Sequence, residues 1–174
     1  MLLTYVQPPL CGFGLFVQAC QHTCSESPSF EMDIESITAD ALGRSLTGMG
    51  LNLLVRDVLK ECAFLETVFR LKSHQAGKDF AIVTYGDQVF QLHSDATYHS
   101  NPLLGLLPES PPRGAGIEIR LYDTDPDEAV ARVEAAGGTV LQAPTDKPHG
   151  LREAYILCEN GYAWVPSRSL WLSR

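Results

Sequence analysis

One order of elements occurs twice along this chain, and that repetition constrains the fold more than any single motif. In the first copy LNLLVRDV alternates as a half-buried strand does. Leu51, Leu53 and Val55 share one face, and Asn52, Leu54 and Arg56 share the other. Asp57 is a natural N-cap for VLKECAFLETVF, in which Val58, Cys62, Leu65 and Phe69 recur at helical spacing and form one apolar stripe. FAIVTYG and QVFQLH follow as β-rich runs divided by the turn signal Gly86-Asp87. Residues 48–94 therefore read as a strand, a helix and two or three strands.

The second copy begins with the strand GIEIRLYD and a second N-cap, Asp125. Pro126 stands at the first helical position, with Glu128 completing a box-like start. The helix EAVARVEAA is expected to stop at Gly137-Gly138. TVLQAP, LREAYILC and YAWVPS are the next strand candidates, with Asn160-Gly161 as the turn between the last two. SDATYHSNPLLGLLPESPPRGAG joins the copies, and a connection of that length is usually functional or interfacial. In each copy the helix can cover one face of its own strands. The expected fold is thus α+β: two βαβββ modules, at about 48–94 and 116–170, whose inner faces curl around one open half-barrel cleft. Residues 48–174 form this domain, and residues 1–47 are expected to be an N-terminal appendage.

Composition removes several function classes. A net charge of −8 without a basic stripe argues against nucleic acid and against an anionic membrane surface. Residues 1–43 hold no Lys or Arg but carry Glu26, Glu31, Asp33, Glu35 and Asp40. The apolar run LCGFGLF lacks the positive start of a secretory signal and is too short to span a bilayer. Cys62 and Cys158 stand alone in apolar surroundings, as reduced core thiols would, which points to the cytoplasm. Cys11, Cys20 and Cys24 lack a second pair at zinc-finger spacing. Met32 is expected to offer an alternative start.

NLLVRDV leading into a helix with Phe64 and Phe69, together with DPDEAVARVEAAGGTVLQAPTDKPHGLREAYILCENGYAWV, resembles the vicinal oxygen chelate superfamily. That superfamily includes glyoxalases, extradiol dioxygenases and bleomycin-resistance proteins, and the resemblance spans about residues 48–170. It implies a metal-ligand position near the start and the end of each module. Counted back seven residues from each helix cap, the first positions are Gly50 and Glu118, and the end positions fall on Gln91 and Val165. Glycine and valine side chains offer no donor, and an amide is a weak ligand. No metal cofactor is therefore expected. The alternative is a divalent metal at Glu118 and His93, with His99 folding back to complete a 2-His-1-carboxylate set.

On this plan Asn52, Arg56, Gln91, His93, Glu118 and Arg120 face the cleft, and Arg152, in DKPHGLREA, borders it as a clamp for an anionic or carbonyl-bearing group. Asp123-Thr-Asp125-Pro-Asp127 resembles the start of a calcium loop, but Glu128 stands where the sharp turn needs glycine. No phosphate loop, dinucleotide fingerprint or nucleophile elbow is present. The preferred expectation is a cytosolic protein that binds a small polar molecule, of the glyoxalase/bleomycin-resistance type without the usual metal. The resemblance also implies a homodimer. Two alternatives stand beside it: a metal-dependent lyase, isomerase or dioxygenase with an atypical ligand set, and an interaction module whose cleft is closed by its own side chains.

Overall fold

The computed structural model describes residues 33–98 and 102–171. By internal contacts the chain divides into Met1–Glu31 and Met32–Arg174, and the elements described below belong to the second unit. His99, the cysteines Cys11, Cys20 and Cys24, and the LCGFGLF run lie outside the described residues.

After a short helix, α1 (Ala39–Ser45), the first module runs β1 (Asn52–Val55), α2 (Val58–Phe69), β2 (Lys72–His74), β3 (Phe80–Tyr85) and β4 (Gln88–Ser94). The second runs β5 (Glu118–Tyr122), α3 (Pro126–Val133), β6 (Thr139–Asp146), β7 (Leu151–Leu157) and β8 (Ala163–Ser169). Both helices start where a carboxylate can satisfy the first free amides. Asp57 accepts from the Lys60 N–H at 3.0 Å, a cap contributing about 1 kcal/mol. Asp125 accepts from the Asp127 and Glu128 N–H groups, with Pro126 at the first turn. The Asp123–Asp127 segment is thus a helix cap.

Helix α3 ends sooner than its sequence suggests. Beyond Val133 the last turn tightens, with the Ala136 N–H shared between the Arg132 and Val133 carbonyls. Gly138 then passes so close to Phe64 that a Cβ there would lie 2.7 Å from its ring. Packing against α2, and not helical propensity alone, sets this end.

Each module folds into a four-stranded mixed sheet, in the order β1-β4-β3-β2 and β5-β8-β7-β6. The first pairing of each sheet is parallel and the others antiparallel. The fold is α+β, as expected, and the sheets do not close into a barrel. Alternation assigns the faces. Leu53, Val55, Ala81, Val83, Phe90 and Leu92 pack on the helix side in one core with Leu65, Phe69, Leu121, Ile156 and Trp164. Because that cluster draws on both modules, the modules share a core. Trp164 sits at its centre, its ring centroid 5.6 Å from that of Phe69 and 5.9 Å from that of Phe90.

Polar contacts clasp the modules at the turn after β7. The Tyr162 hydroxyl donates to the Leu54 carbonyl at 2.9 Å, and the Arg56 N–H donates to the Asn160 side chain at 3.1 Å. Gly161 makes this turn with φ +80°, and a Cβ would lie 2.4 Å from the Pro112 Cα. Only glycine suits that position. The long connection between modules is tied down as well. The Arg113 guanidinium, 3% exposed, forks onto both oxygens of Asp95 at 2.6 and 2.8 Å.

Candidate functional site: a chamber beneath the first helix

The open face of the first sheet carries Asn52 and Leu54 on β1, Phe80, Ile82 and Thr84 on β3, and Val89, Gln91 and His93 on β4. Cross-strand register places Ile82 beside Gln91 and Phe80 beside His93. The His93 Nε2 meets the Gln91 Oε1 at 3.1 Å. An amide oxygen can only accept, so the ring carries its proton on that nitrogen. Phe80 packs edge-on to the imidazole at 5.1 Å, and burial lowers the His93 pKa, favouring the neutral ring.

At the other end of this face, α1 and the residues around it roof a cavity of 580 Å³. Its walls are largely apolar: Leu42 and Leu46 from the α1 region, Ile82 and Val89 from the first sheet, Ile119 and Leu121 from β5. Gln88, Asp87, Tyr85, Ser45, Thr47 and Arg120 supply the polar groups. A mainly apolar chamber of this size with a few polar groups is the usual form of a small-molecule site.

Arg120 links the chamber to a charged cluster on the second sheet. One terminal nitrogen donates to Glu118 at 2.9 Å and the other to Glu153, which is 2% exposed. His149 reaches the second Glu153 oxygen at 3.4 Å. Burial opposes the guanidinium charge, yet the bonds to Glu153 and Glu118 outweigh it, so the Arg120 pKa lies above its ordinary value. Arg120 is a permanent cation already spoken for by two carboxylates.

Of the residues expected to share one cleft, Arg56 and Arg152 stand apart. Asn52, Gln91 and His93 lie together on the first sheet, and Glu118 and Arg120 on the second. Arg56 lies past the end of β1. It lines a distinct recess of 190 Å³ with Lys60, Glu61 and Asn160. Arg152 lies on the helix side of its sheet, paired with Asp127 in α3 at 2.7 Å and with Asp146 at 2.8 Å. Among the described residues no group of three or more His, Cys, Asp and Glu side chains gathers as metal ligands would. Sequence reasoning missed the chamber roof and Glu153. The first was signalled by Thr38 as an N-cap, whose hydroxyl accepts from Ala41 at 3.2 Å. The second had no local signal.

No protein-family model and no curated relative matches the chain. Solved structures do. A glyoxalase/bleomycin resistance protein/dioxygenase family enzyme from Burkholderia phytofirmans PsJN is similar at a TM-score of 0.59 and 19% identity, over 69% of this chain and 96% of that one. A glyoxalase/bleomycin resistance protein/dioxygenase from Nocardioides is similar at 0.54 and 18%, over 76% and 92%. The fosfomycin resistance protein FosX from Mesorhizobium loti is similar at 0.51 and 16%, over 71% and 93%. The chain has the vicinal oxygen chelate fold.

Within this vicinal oxygen chelate fold the four positions that the resemblance implies can now be located. Gly50 lines the chamber without a side chain to offer. The Gln91 amide oxygen is engaged by His93, and the Glu118 carboxylate by Arg120. Val165 is fully buried on β8, in register with Arg120. No helix among the described residues is long and apolar enough to cross a membrane.

Proposed function

We propose that this protein binds a small organic molecule in the chamber beneath α1, holding it by shape and hydrogen bonds and not through a chelated metal. The chamber itself carries the reading: 580 Å³, walled by apolar side chains, with polar groups at a few points. The residues at the implied ligand positions support its second half. Two have no donor atom, and the one carboxylate among them neutralises a guanidinium. A polar ligand was the expectation from the residues of the strands. The apolar lining moves the proposal to a molecule with an apolar body and a polar head.

Elemental analysis of native protein, purified without chelator or affinity metal, tests the second half. The expected result is far less than one equivalent of any divalent ion. About one equivalent of iron, zinc, manganese or nickel, lost in Glu118→Ala, contradicts it and favours metal-dependent lyase, isomerase or dioxygenase chemistry.

A further inference from the structure

We infer that a groove between the two modules is a second binding site, and that it takes a small zwitterion carrying an ammonium and a carboxylate. The groove has a volume of 560 Å³ and is distinct from the chamber, although Tyr85 lines both. The end of α2 with β2 and β3 supplies one wall, and the β5–α3 turn with α3 supplies the other. The first wall carries Arg70 and Lys72. The second carries Asp123, Asp125, Glu128 and Arg132.

Three of these charges are already engaged. Arg132 donates from two nitrogens to the Val68 carbonyl, at 3.2 and 2.9 Å, and from the third to Glu128 at 3.4 Å. Asp125 caps α3 and pairs with Arg168 at 3.2 Å. Arg70, Lys72 and Asp123 remain, exposed and without a side-chain hydrogen bond or ion pair among the described residues. Arg70 and Asp123 also hold left-handed backbone, at φ +63° and +65°, which residues with a Cβ rarely adopt. Arg70 does so as the cap that ends α2, a place glycine usually fills. The Tyr85 hydroxyl, bonded to Thr124 at 2.8 Å, joins the two walls. Burial raises its pKa and the Asp123 charge adds to the rise, so that carboxylate lies within electrostatic reach of the groove. Cations from one module thus face a carboxylate from the other without pairing with it. A lone anion is drawn by Arg70 and Lys72 and repelled by Asp123, and a lone amine meets the reverse. A zwitterion suits both walls at once.

Amide chemical-shift titration of the full chain, at neutral pH and low salt, tests this with two families of probes. One is glycine with acetate and methylamine, and the other is 4-aminobutyrate with butyrate and butylamine. At least one zwitterion is expected to bind about fivefold more tightly than either of its single-charge analogues. The largest shifts are expected at Arg70, Lys72, Asp123 and Thr124, the residues of the two walls. Asp123→Asn removes the carboxylate and keeps a residue that tolerates left-handed backbone. In that variant the zwitterion should fall to the level of its carboxylate analogue, whose own binding does not weaken. Arg70→Asn should weaken the zwitterion and the carboxylate alike. A carboxylate that binds the natural protein as tightly as its zwitterion makes the groove a plain anion site and overturns the inference. So does a zwitterion advantage that survives Asp123→Asn, or the absence of shifts at these residues with every probe at concentrations on the order of 100 mM.

Discussion

Glu61, in the first turn of α2, is 3% exposed, so its carboxylate has little water to share. Its Oε2 accepts from the Asn160 amide at 2.8 Å, while its Oε1 has no hydrogen-bond partner among the described residues. Burial outweighs the bonds from Asn160 and the Cys158 thiol and raises the Glu61 pKa above its ordinary value of 4.5. The same burial, with the nearby Glu61 charge, pushes the Cys158 thiol up to about 12, so neither group favours its ionised form. The folded state therefore holds the Glu61 proton to higher pH than the unfolded chain does. Its stabilising effect is complete below the unfolded-chain pKa and is lost as pH rises through the raised folded-state pKa. Urea titrations across that window should show stability falling by up to about 1.4 kcal/mol per pH unit from this one proton. Glu61→Gln keeps an oxygen for Asn160 and removes the proton, so it should flatten the decline. A slope unchanged in the variant would mean that another group causes it.

At the scale of elements, α1 is the part of the site that depends most on tertiary contacts. Seven residues are too few for a stable isolated helix, and Leu42 is its one buried side chain. Its position comes from the β2–β3 turn. The Gln75 amide donates to the Ile34 and Ile37 carbonyls at 2.9 and 2.8 Å, and His74 meets Glu35 at 2.6 Å. Beyond the helix, Gly48 adopts φ +74° and Met49 is 99% exposed, so little else fixes the way from α1 into β1. Gln75→Ala removes two hydrogen bonds of about 1 kcal/mol each. Amide exchange across α1 should then accelerate about tenfold or more, with α2 and α3 unaffected. Equal protection in the variant would show that Leu42 packing alone holds the roof. This dependence also explains why α1 escaped the sequence. A helix with one apolar contact has no periodic stripe, and the carbonyls that Gln75 reaches lie some forty residues back along the chain.

For the whole molecule, what was legible is what local physics decides. Asp57 and Asp125 announce their helices because a cap is a contact within four residues. The strand runs of both modules announce themselves by alternation, and the duplicated order leads directly to two four-stranded sheets. The site was legible only in part, because faces depend on register. Arg152 and Glu153 are adjacent on β7, so one points to the helices and the other to the open face. Irregular pairing between β6 and β7 separates this decision from anything readable in either strand alone. Alternation does not carry past Val55 to Arg56, because β1 has already ended there. The charged cluster joins residues from β5 and β7, and no spacing in one segment could disclose it. The proposed function is binding of an organic molecule in the chamber without a chelated metal. Titration of naphthalenemethanol into the protein before and after exhaustive dialysis against EDTA tests this most directly. The same affinity is expected in both. Binding abolished by the chelator and restored by a divalent ion would contradict it.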